Sequence, residues 1–416
     1  MIKRVAYLAL HTSPLSQPGV GNAGGMNVYV NELACTMAGR GIEATVFTRR
    51  THPDQPDVID VRDGYRVIHL DAGPPRPLPI SELMSHVAEF GEGVVAETRN
   101  SGFDLVHSHY WLSGWAGVLV KEAHGLPLAN SFHTLGRVKD VARRRGEASS
   151  SAARLRAEDG VIAGSDCVIA STPYEFDDLI EHYAASPERL CISQPGIDHS
   201  LFTPGDRGEA RRRLGVGDEP LILCVGRIQA HKGFDVAIDM LSLLPETLAV
   251  GSGPPTLMIV GGPSGPKGEE ELEGLRSRAA VIGVADQVRF IPPQPHGNIV
   301  DYYRAADLLV MPSHSESFGL VAAEAQASGL PVVASRVGGL PYVVGASTSG
   351  LLVHDHDPHS FAAAAKAILD HPAFRSRLST GAVEFAARFS WDGTADRLLD
   401  LYAGIIRGSD SARKLS

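Results

Sequence analysis

Cysteine is scarce in this chain of 416 residues, which has only Cys35, Cys167, Cys191 and Cys224. They are scattered, form no CxxC pair and sit in apolar surroundings, as reduced core thiols do. No disulfide is expected. Positive charge is also short. Lys and Arg total 38 against 48 Asp and Glu, a formal net charge of −10. Non-specific nucleic-acid binding needs a basic face, so a nucleic-acid partner is not expected. No run approaches the roughly 20 apolar residues of a membrane-spanning helix. The apolar stretch Arg4–Leu10 is too short for a secretion signal with its cleavage site, and reads as a first buried strand. A cytoplasmic location without a membrane span is therefore expected.

Apolar residues are plentiful at 44%, which excludes wholesale disorder. At roughly 150 residues per domain, the length predicts two to three domains, or two large ones. Short β-branched runs at Arg4–Leu10, Ala44–Thr48, Arg66–Leu70, Leu105–His107, Pro127–Ser131 and Cys167–Ser171 read as strands. Amphipathic segments such as Val28–Arg40 and Ile80–Asn100 lie between several of them. That alternation predicts a parallel sheet with helices on both faces. The pattern restarts after Pro204, with strands at Leu221–Val225, Thr256–Val260, Val288–Ile291, Leu308–Met311, Pro331–Ser335 and Leu351–Val353.

The fold class is thus α/β: two Rossmann-like doubly wound domains facing across a cleft, residues 1–200 and 201–390, joined by a linker at Gln194–Gly205. Ligands of such sheets bind at the carboxyl ends of the strands. Trp391–Arg407 reads as a helix with no strand after it, crossing back to the first domain; residues 391–416 end in a frayed tail from Gly408. Arg143–Ser151 reads as a mobile loop.

Gly19-Val20-Gly21-Asn22-Ala23-Gly24 matches the dinucleotide fingerprint G-x-G-x-x-G. In a true fingerprint the first glycine directly follows the strand and an acidic residue ends the second strand. Here His11–Pro18 intervenes, and the second strand ends in Thr48-Arg49-Arg50. The better reading is a glycine-rich loop feeding a helix near Met26, whose amides approach a ligand. A merely flexible loop is the alternative. Arg227 and Lys232 follow the strand Leu221–Val225 and suit a diphosphate: a guanidinium fork binds two oxygens and an ammonium acts as a point charge. A solvated basic loop is the competing reading.

The most informative stretch runs from Pro312 to Ala325. Ser317 reads as a helix N-cap, Glu316 lies in the loop before it and Glu324 two turns inside. The amides of Phe318, Gly319 and Leu320 point out of that helix start and suit sugar hydroxyls or phosphate oxygens. Glu316 with Glu324 eight residues on resembles the E-x7-E motif of retaining glycosyltransferases of family 4. Arg227 and Lys232 fall where that family has its diphosphate-binding pair, and Gly338-Gly339-Leu340-Pro341 and Gly350-Leu351-Leu352-Val353 resemble its later loops. The resemblance implies the two-domain GT-B fold. More narrowly, His11–Leu15, Gly24–Tyr29, His107–Gly114 and Gly262–Pro266 are similar to the branch of mycothiol synthesis. That branch moves N-acetylglucosamine from its UDP sugar to inositol 3-phosphate.

Carried over, the resemblance implies a catalytic set of Arg227, Lys232, Glu316 and His133. Donor binding would fall to Gly25, Arg227, Lys232, Arg289, Glu316, Ser317, Phe318, Gly319, Leu320 and Glu324. Acceptor binding would fall to Asn27, Tyr110, Thr134 and Arg154. The co-substrate would be a nucleotide sugar, UDP-linked first and GDP-linked second, with no other cofactor and no metal. Partners are small molecules only. Monomer and homodimer both stay open.

One departure stands out. The inositol-phosphate branch carries a lysine in the segment Gly73–Leu83, at the place of Ile80 here. Losing a charge-assisted contact, worth about 1.5–3 kcal/mol, weakens a dianionic acceptor. Arg76 is a candidate substitute. Another acceptor, an aminocyclitol or a thiol of a natural-product pathway, is therefore the alternative, followed by a sugar-nucleotide epimerase of similar fold. Asp355-His356-Asp357 imitates a metal-binding D-x-D but reads as a solvated turn beside Pro358. His107, His109 and His133 read as buried polar residues or sugar contacts rather than metal ligands.

Overall fold

The computed structural model describes residues 2–144, 147–265 and 267–413. The first sheet comprises β1 (Arg4–Leu8), β2 (Glu43–Arg49), β3 (Val58–Arg62), β4 (Tyr65–Leu70), β5 (Leu105–His109), β6 (Leu128–Ser131), β7 (Cys167–Ala170) and β8 (Leu190–Ile192). Its order is β3-β4-β2-β1-β5-β6-β7-β8, parallel throughout except that β3 returns antiparallel on β4. The second sheet comprises β9 (Leu221–Val225), β10 (Thr256–Val260), β11 (Val288–Ile291), β12 (Leu308–Met311), β13 (Val332–Ser335) and β14 (Gly350–Val353). Its order is β11-β10-β9-β12-β13-β14, all parallel. Central strands are apolar on both faces because helices cover both: Val5, Ala6, Tyr7 and Leu8 are all fully buried.

Each sheet reverses its direction of growth once, between β1 and β5 in the first and between β9 and β12 in the second. Such reversals open a crevice at the carboxyl ends of the flanking strands. The segments leaving those four strands hold His11, Tyr110, Arg227 and Glu316, all of which line one cavity.

Strands β3 and β8 are not among the sequence-read strands. β3 alternates exposed and half-buried residues and is anchored only through its hairpin with β4, so no apolar run announces it. The expected helix Ile80–Asn100 is interrupted: Ile80–Leu83 is followed by a 3-10 turn at Met84–His86, then a helix at Val87–Thr98. The C-terminal helix runs from Trp391 to Arg413, so the fraying expected from Gly408 does not begin there; residues 414–416 of that tail lie outside the described residues. The helix places Trp391, Ala395, Leu398 and Tyr402 in a core with Val5, Tyr7 and Val30 of the first sheet's layer.

Two further expectations change. Cys167 and Cys191 are joined as a disulfide, with Cα atoms 6.4 Å apart. They are 24 residues apart in the chain, but β7 and β8 are neighbours and Ile169 pairs with Cys191 in register. Cys35 and Cys224 are free. Of the loop expected to be mobile, 145–146 lie outside the described residues, while Arg144 is held by Asp235 at 2.5 and 3.0 Å.

Candidate active site

A cavity of about 1030 Å³ lies between the two sheets, lined by residues of both halves. From the first half come Gly24, Gly25, Leu78, Ile80, Tyr110, His133, Thr134, Lys139 and Glu175, among others. From the second come Arg227, His231, Lys232, His296, Tyr303, Glu316, Ser317, Phe318, Gly319, Leu320 and Glu324. The halves touch around it. Ser317 Oγ donates to the His133 carbonyl at 2.5 Å, and Ser264 Oγ donates to the Gly21 carbonyl at 2.8 Å.

The glycine-rich loop ends at the helix Gly25–Gly39. Gly24 faces Arg227 closely across the cleft: a Cβ there would stand 3.3 Å from Arg227 Nε. Asn27 does not line the cavity. It is buried, accepts from Gly24 N at 2.8 Å and donates to Thr12 Oγ1 at 2.8 Å and the Ser13 carbonyl at 2.5 Å. It therefore sets the shape of the loop that does.

Arg227 and Lys232 leave the carboxyl end of β9. Lys232 Nζ donates to Glu316 Oε2 at 2.6 Å. Among the described residues Arg227 reaches only Ser264 Oγ, at 3.5 Å, and burial depresses its guanidinium. The helix expected to be capped by Ser317 starts later, at Leu320, with Gly319 as a left-handed N-cap. Ser317 is instead spent on the bond to His133, and Glu324 sits just past the first turn of Leu320–Ala327 rather than two turns in. The first-turn amides of such a helix lack intrahelical acceptors and carry partial positive charge toward the cavity. Gly338 holds the loop in place: it has φ +49, and a Cβ would lie 2.0 Å from the Glu316 carbonyl oxygen.

Glu324 is nearly buried and accepts from Tyr303 Oη at 2.9 Å, with His296 Nε2 at 2.8 Å. Burial lowers the His296 pKa, but the Glu324 carboxylate outweighs it and the net direction is up. Neither His296 nor Tyr303 was legible as a site residue, since only the packing of the 3-10 turn His296–Asn298 and the helix Ile299–Ala305 brings them to Glu324.

His133 and Tyr110 both adopt left-handed backbone, φ 58 and 78, conformations that non-glycine residues keep only when their surroundings over-determine them. His133 Nε2 lies 2.9 Å from His109 Nδ1, and burial pushes the His133 ring down to about 3, so it is neutral near pH 7. Thr134 lines the cavity and receives Arg154 Nη2 at its carbonyl, 3.3 Å away. Arg154 itself stands behind that wall, paired with buried Glu158 at 2.8 Å, its guanidinium 5.5 Å from the Tyr110 ring centroid. Arg289 is not brought to the cavity. It lies on β11 and pairs with Glu219 at 3.1 Å, because its strand is at the sheet edge, far from the reversal. Lys139 and Glu175 are cavity residues that the motifs did not single out.

Among the described residues no three His, Cys, Asp or Glu side chains form a group that would hold a metal ion. Asp357 of the D-x-D imitation caps the helix Pro358–Leu369, accepting from His359 N at 3.0 Å. No helix among the described residues is long and apolar enough to cross a membrane.

Two α/β domains with cations, helix-start amides and paired glutamates at one shared crevice define a glycosyltransferase of the GT-B class. The comparisons with known proteins agree. Residues 206–385 match the family model of glycosyl transferases group 1, and residues 24–196 match that of the glycosyl transferase 4-like domain. The D-inositol 3-phosphate glycosyltransferase of Thermomonospora curvata is 45% identical over 413 residues, 97% of this chain and 96% of that protein. Its counterpart in Actinosynnema mirum is 46% identical over 407 residues, 96% of this chain and 97% of that protein. Among solved structures, sucrose-phosphate synthase of Thermosynechococcus elongatus superposes with a TM-score of 0.89 at 32% identity, covering 98% of this chain and all of that one. Anabaena HepE, solved with UDP and glucose, shares the fold at a TM-score of 0.78 and 18% identity, covering 97% of this chain and 100% of that one. The chain belongs to the group 1 glycosyltransferase family.

Proposed function

We propose that this enzyme is a retaining cytoplasmic glycosyltransferase that moves N-acetylglucosamine from UDP-N-acetylglucosamine to inositol 3-phosphate. The observation that carries this reading is the shared cavity. It joins Arg227, Lys232 and the helix start at Leu320 on one side to His133, Tyr110 and Thr134 on the other. The first group suits a diphosphate, the second a polar acceptor. The relatives named for D-inositol 3-phosphate, aligned over nearly the whole chain, support the acceptor.

In this mechanism the bond from the anomeric carbon to the diphosphate oxygen breaks through an oxocarbenium-like transition state. Negative charge grows on the leaving phosphate, where Arg227, the helix amides and Lys232, once drawn from Glu316, stabilise it. Glu324 holds the ribose diol, and its orientation is set by Tyr303 and His296. Glu316 and neutral His133 contact the sugar. The acceptor hydroxyl attacks from the face the phosphate leaves and gives up its proton to that phosphate, so configuration is retained. Contacts between the halves exclude water, which protects the donor from hydrolysis.

The presence of Ile80 in the cavity wall favours a second reading, an acceptor other than inositol 3-phosphate. Incubation of the enzyme with UDP- and GDP-sugars against inositol 3-phosphate, aminocyclitols and thiols, read by mass spectrometry and proton NMR of the new anomeric centre, separates the two. An α-linked N-acetylglucosaminyl inositol phosphate is expected. A product formed only with another acceptor transfers the assignment to the second reading, and a β-linked product removes the retaining mechanism.

A further inference from the structure

Among the described residues, the Lys and Arg side chains in or directly behind the cavity wall are Lys139, Arg154, Arg227 and Lys232. Ion pairing accounts for two of them. Glu316 neutralises Lys232 at 2.6 Å, and Glu158 neutralises Arg154 at 2.8 Å. Among the described residues Arg227 has only a hydroxyl at 3.5 Å. Lys139 lines the cavity with no hydrogen-bond or ion-pair partner among the described residues. Two cations therefore remain for ligand anions. The diphosphate takes Arg227, which leaves the β9 end beside the helix start, and recruits Lys232 from Glu316 next to it.

Lys139 belongs to the other half. It lies on the helix Gly136–Val141, directly after His133 and Thr134, on the wall that also carries Tyr110. Burial, then the charges of Arg154 and Arg227, depress its ammonium, and the more distant Glu147 carboxylate offsets only part of that. With no direct ion-pair partner among the described residues, this half-buried ammonium is stabilised in its charged form by an anion brought into the cavity. The other face of the acceptor region, Pro77, Leu78, Pro79 and Ile80, brings no charge.

We propose that Lys139 is a specificity-determining residue for the acceptor, binding its phosphate monoester at a place separate from the donor diphosphate. This rests on the glycosyl transfer reading above and on its assignment of the first half's wall to the acceptor.

The test compares wild type with Lys139→Met, Lys139→Arg and the double variant Lys139→Met with Ile80→Lys. Kinetics use UDP-N-acetylglucosamine with inositol 3-phosphate, and calorimetry titrates inorganic phosphate into each enzyme saturated with UDP. Lys139→Met is expected to raise the acceptor KM about tenfold or more, the value of one charge-assisted contact, while the donor KM moves less than about twofold. Lys139→Arg retains most of the acceptor affinity, and Ile80→Lys restores part of what Lys139→Met loses. An unchanged acceptor KM overturns the proposal. So does a rise confined to the donor KM, which would assign Lys139 to the diphosphate. If wild type leaves inositol 3-phosphate unmodified, the acceptor assignment fails by itself and the titration still decides. Phosphate binding lost in Lys139→Met supports the role of Lys139, whereas equal binding, or no saturable binding by wild type, overturns it. Should Lys139→Met not fold, Lys139→Gln takes its place in both measurements.

Discussion

Lys232 Nζ and Glu316 Oε2 stand 2.6 Å apart, which ties the loop after β9 to the loop after β12. Both side chains are mostly buried, so solvent screens the pair little. Without donor, the cavity thus neutralises one of its own phosphate-binding cations. A diphosphate must draw Lys232 away from Glu316, which frees that carboxylate for the sugar. Lys232→Ala is expected to lower kcat about 10²–10³-fold, as loss of one aimed electrostatic group does. Its melting temperature stays within a few degrees of wild type. Wild-type turnover by this variant would exclude a diphosphate role. Glu316→Gln separates the two functions: UDP alone binds at least as tightly, while turnover falls.

Gly338 bears on the same loop from behind. A methyl group at its Cβ position meets the Glu316 carbonyl oxygen at 2.0 Å, and φ +49 strains any L side chain. Gly338→Ala is expected to displace Glu316 and lower kcat more than tenfold with little effect on UDP affinity. Equal kcat in a folded variant would show that the loop tolerates the shift.

Arg144 grips Asp235 with both guanidinium nitrogens and reaches the Ala230 carbonyl at 3.0 Å, bridging the two halves. Arg144→Ala removes this latch. The expected outcome is a larger radius of gyration by small-angle scattering in the absence of ligand and a raised donor KM. Scattering curves that superimpose would show that the remaining cross-cleft bonds, such as Ser317 to His133, suffice.

Acid stability depends on His107. Its ring is fully buried between Tyr402 Oη at 2.6 Å and Ser131 Oγ at 2.9 Å, and burial pushes its pKa down to about 3. The unfolded chain binds a proton below about pH 6.5, whereas the folded chain does not. The contribution to stability is therefore complete above about pH 6.5 and declines as pH falls toward 3, by about 1.4 kcal/mol per unit. Urea unfolding at pH 7 and pH 5 measures it. His107→Asn is expected to be less stable at pH 7 but to lose less on acidification. An unchanged loss would remove His107 from the acid dependence.

The legible parts of the fold are those written in apolar runs. All six of the second sheet's strands are bounded to within a residue, because buried parallel strands have apolar residues on both faces. β3 and β8 escaped because their burial comes from neighbours at the sheet edge. The site was legible where chemistry follows a strand end directly, as at Arg227, Lys232 and Glu316. The intramolecular partners of other candidate side chains were not legible. Arg289 belongs to Glu219, Asn27 to the loop, Arg154 to Glu158, and Ser317 bridges to His133 instead of capping a helix.

The amino-acid order alone determined that there would be two parallel sheets, that cations would stand at the end of β9 and that two glutamates would flank a helix start. These are consequences of periodicity and of short-range spacing. Tertiary structure alone decided which charges pair with one another, that Lys139 comes to the cavity wall, that Tyr303 and His296 aim Glu324, and that Cys167 meets Cys191. Those facts depend on distances between segments far apart in the chain, which follow from the packing of whole layers and leave no local pattern in the residues themselves.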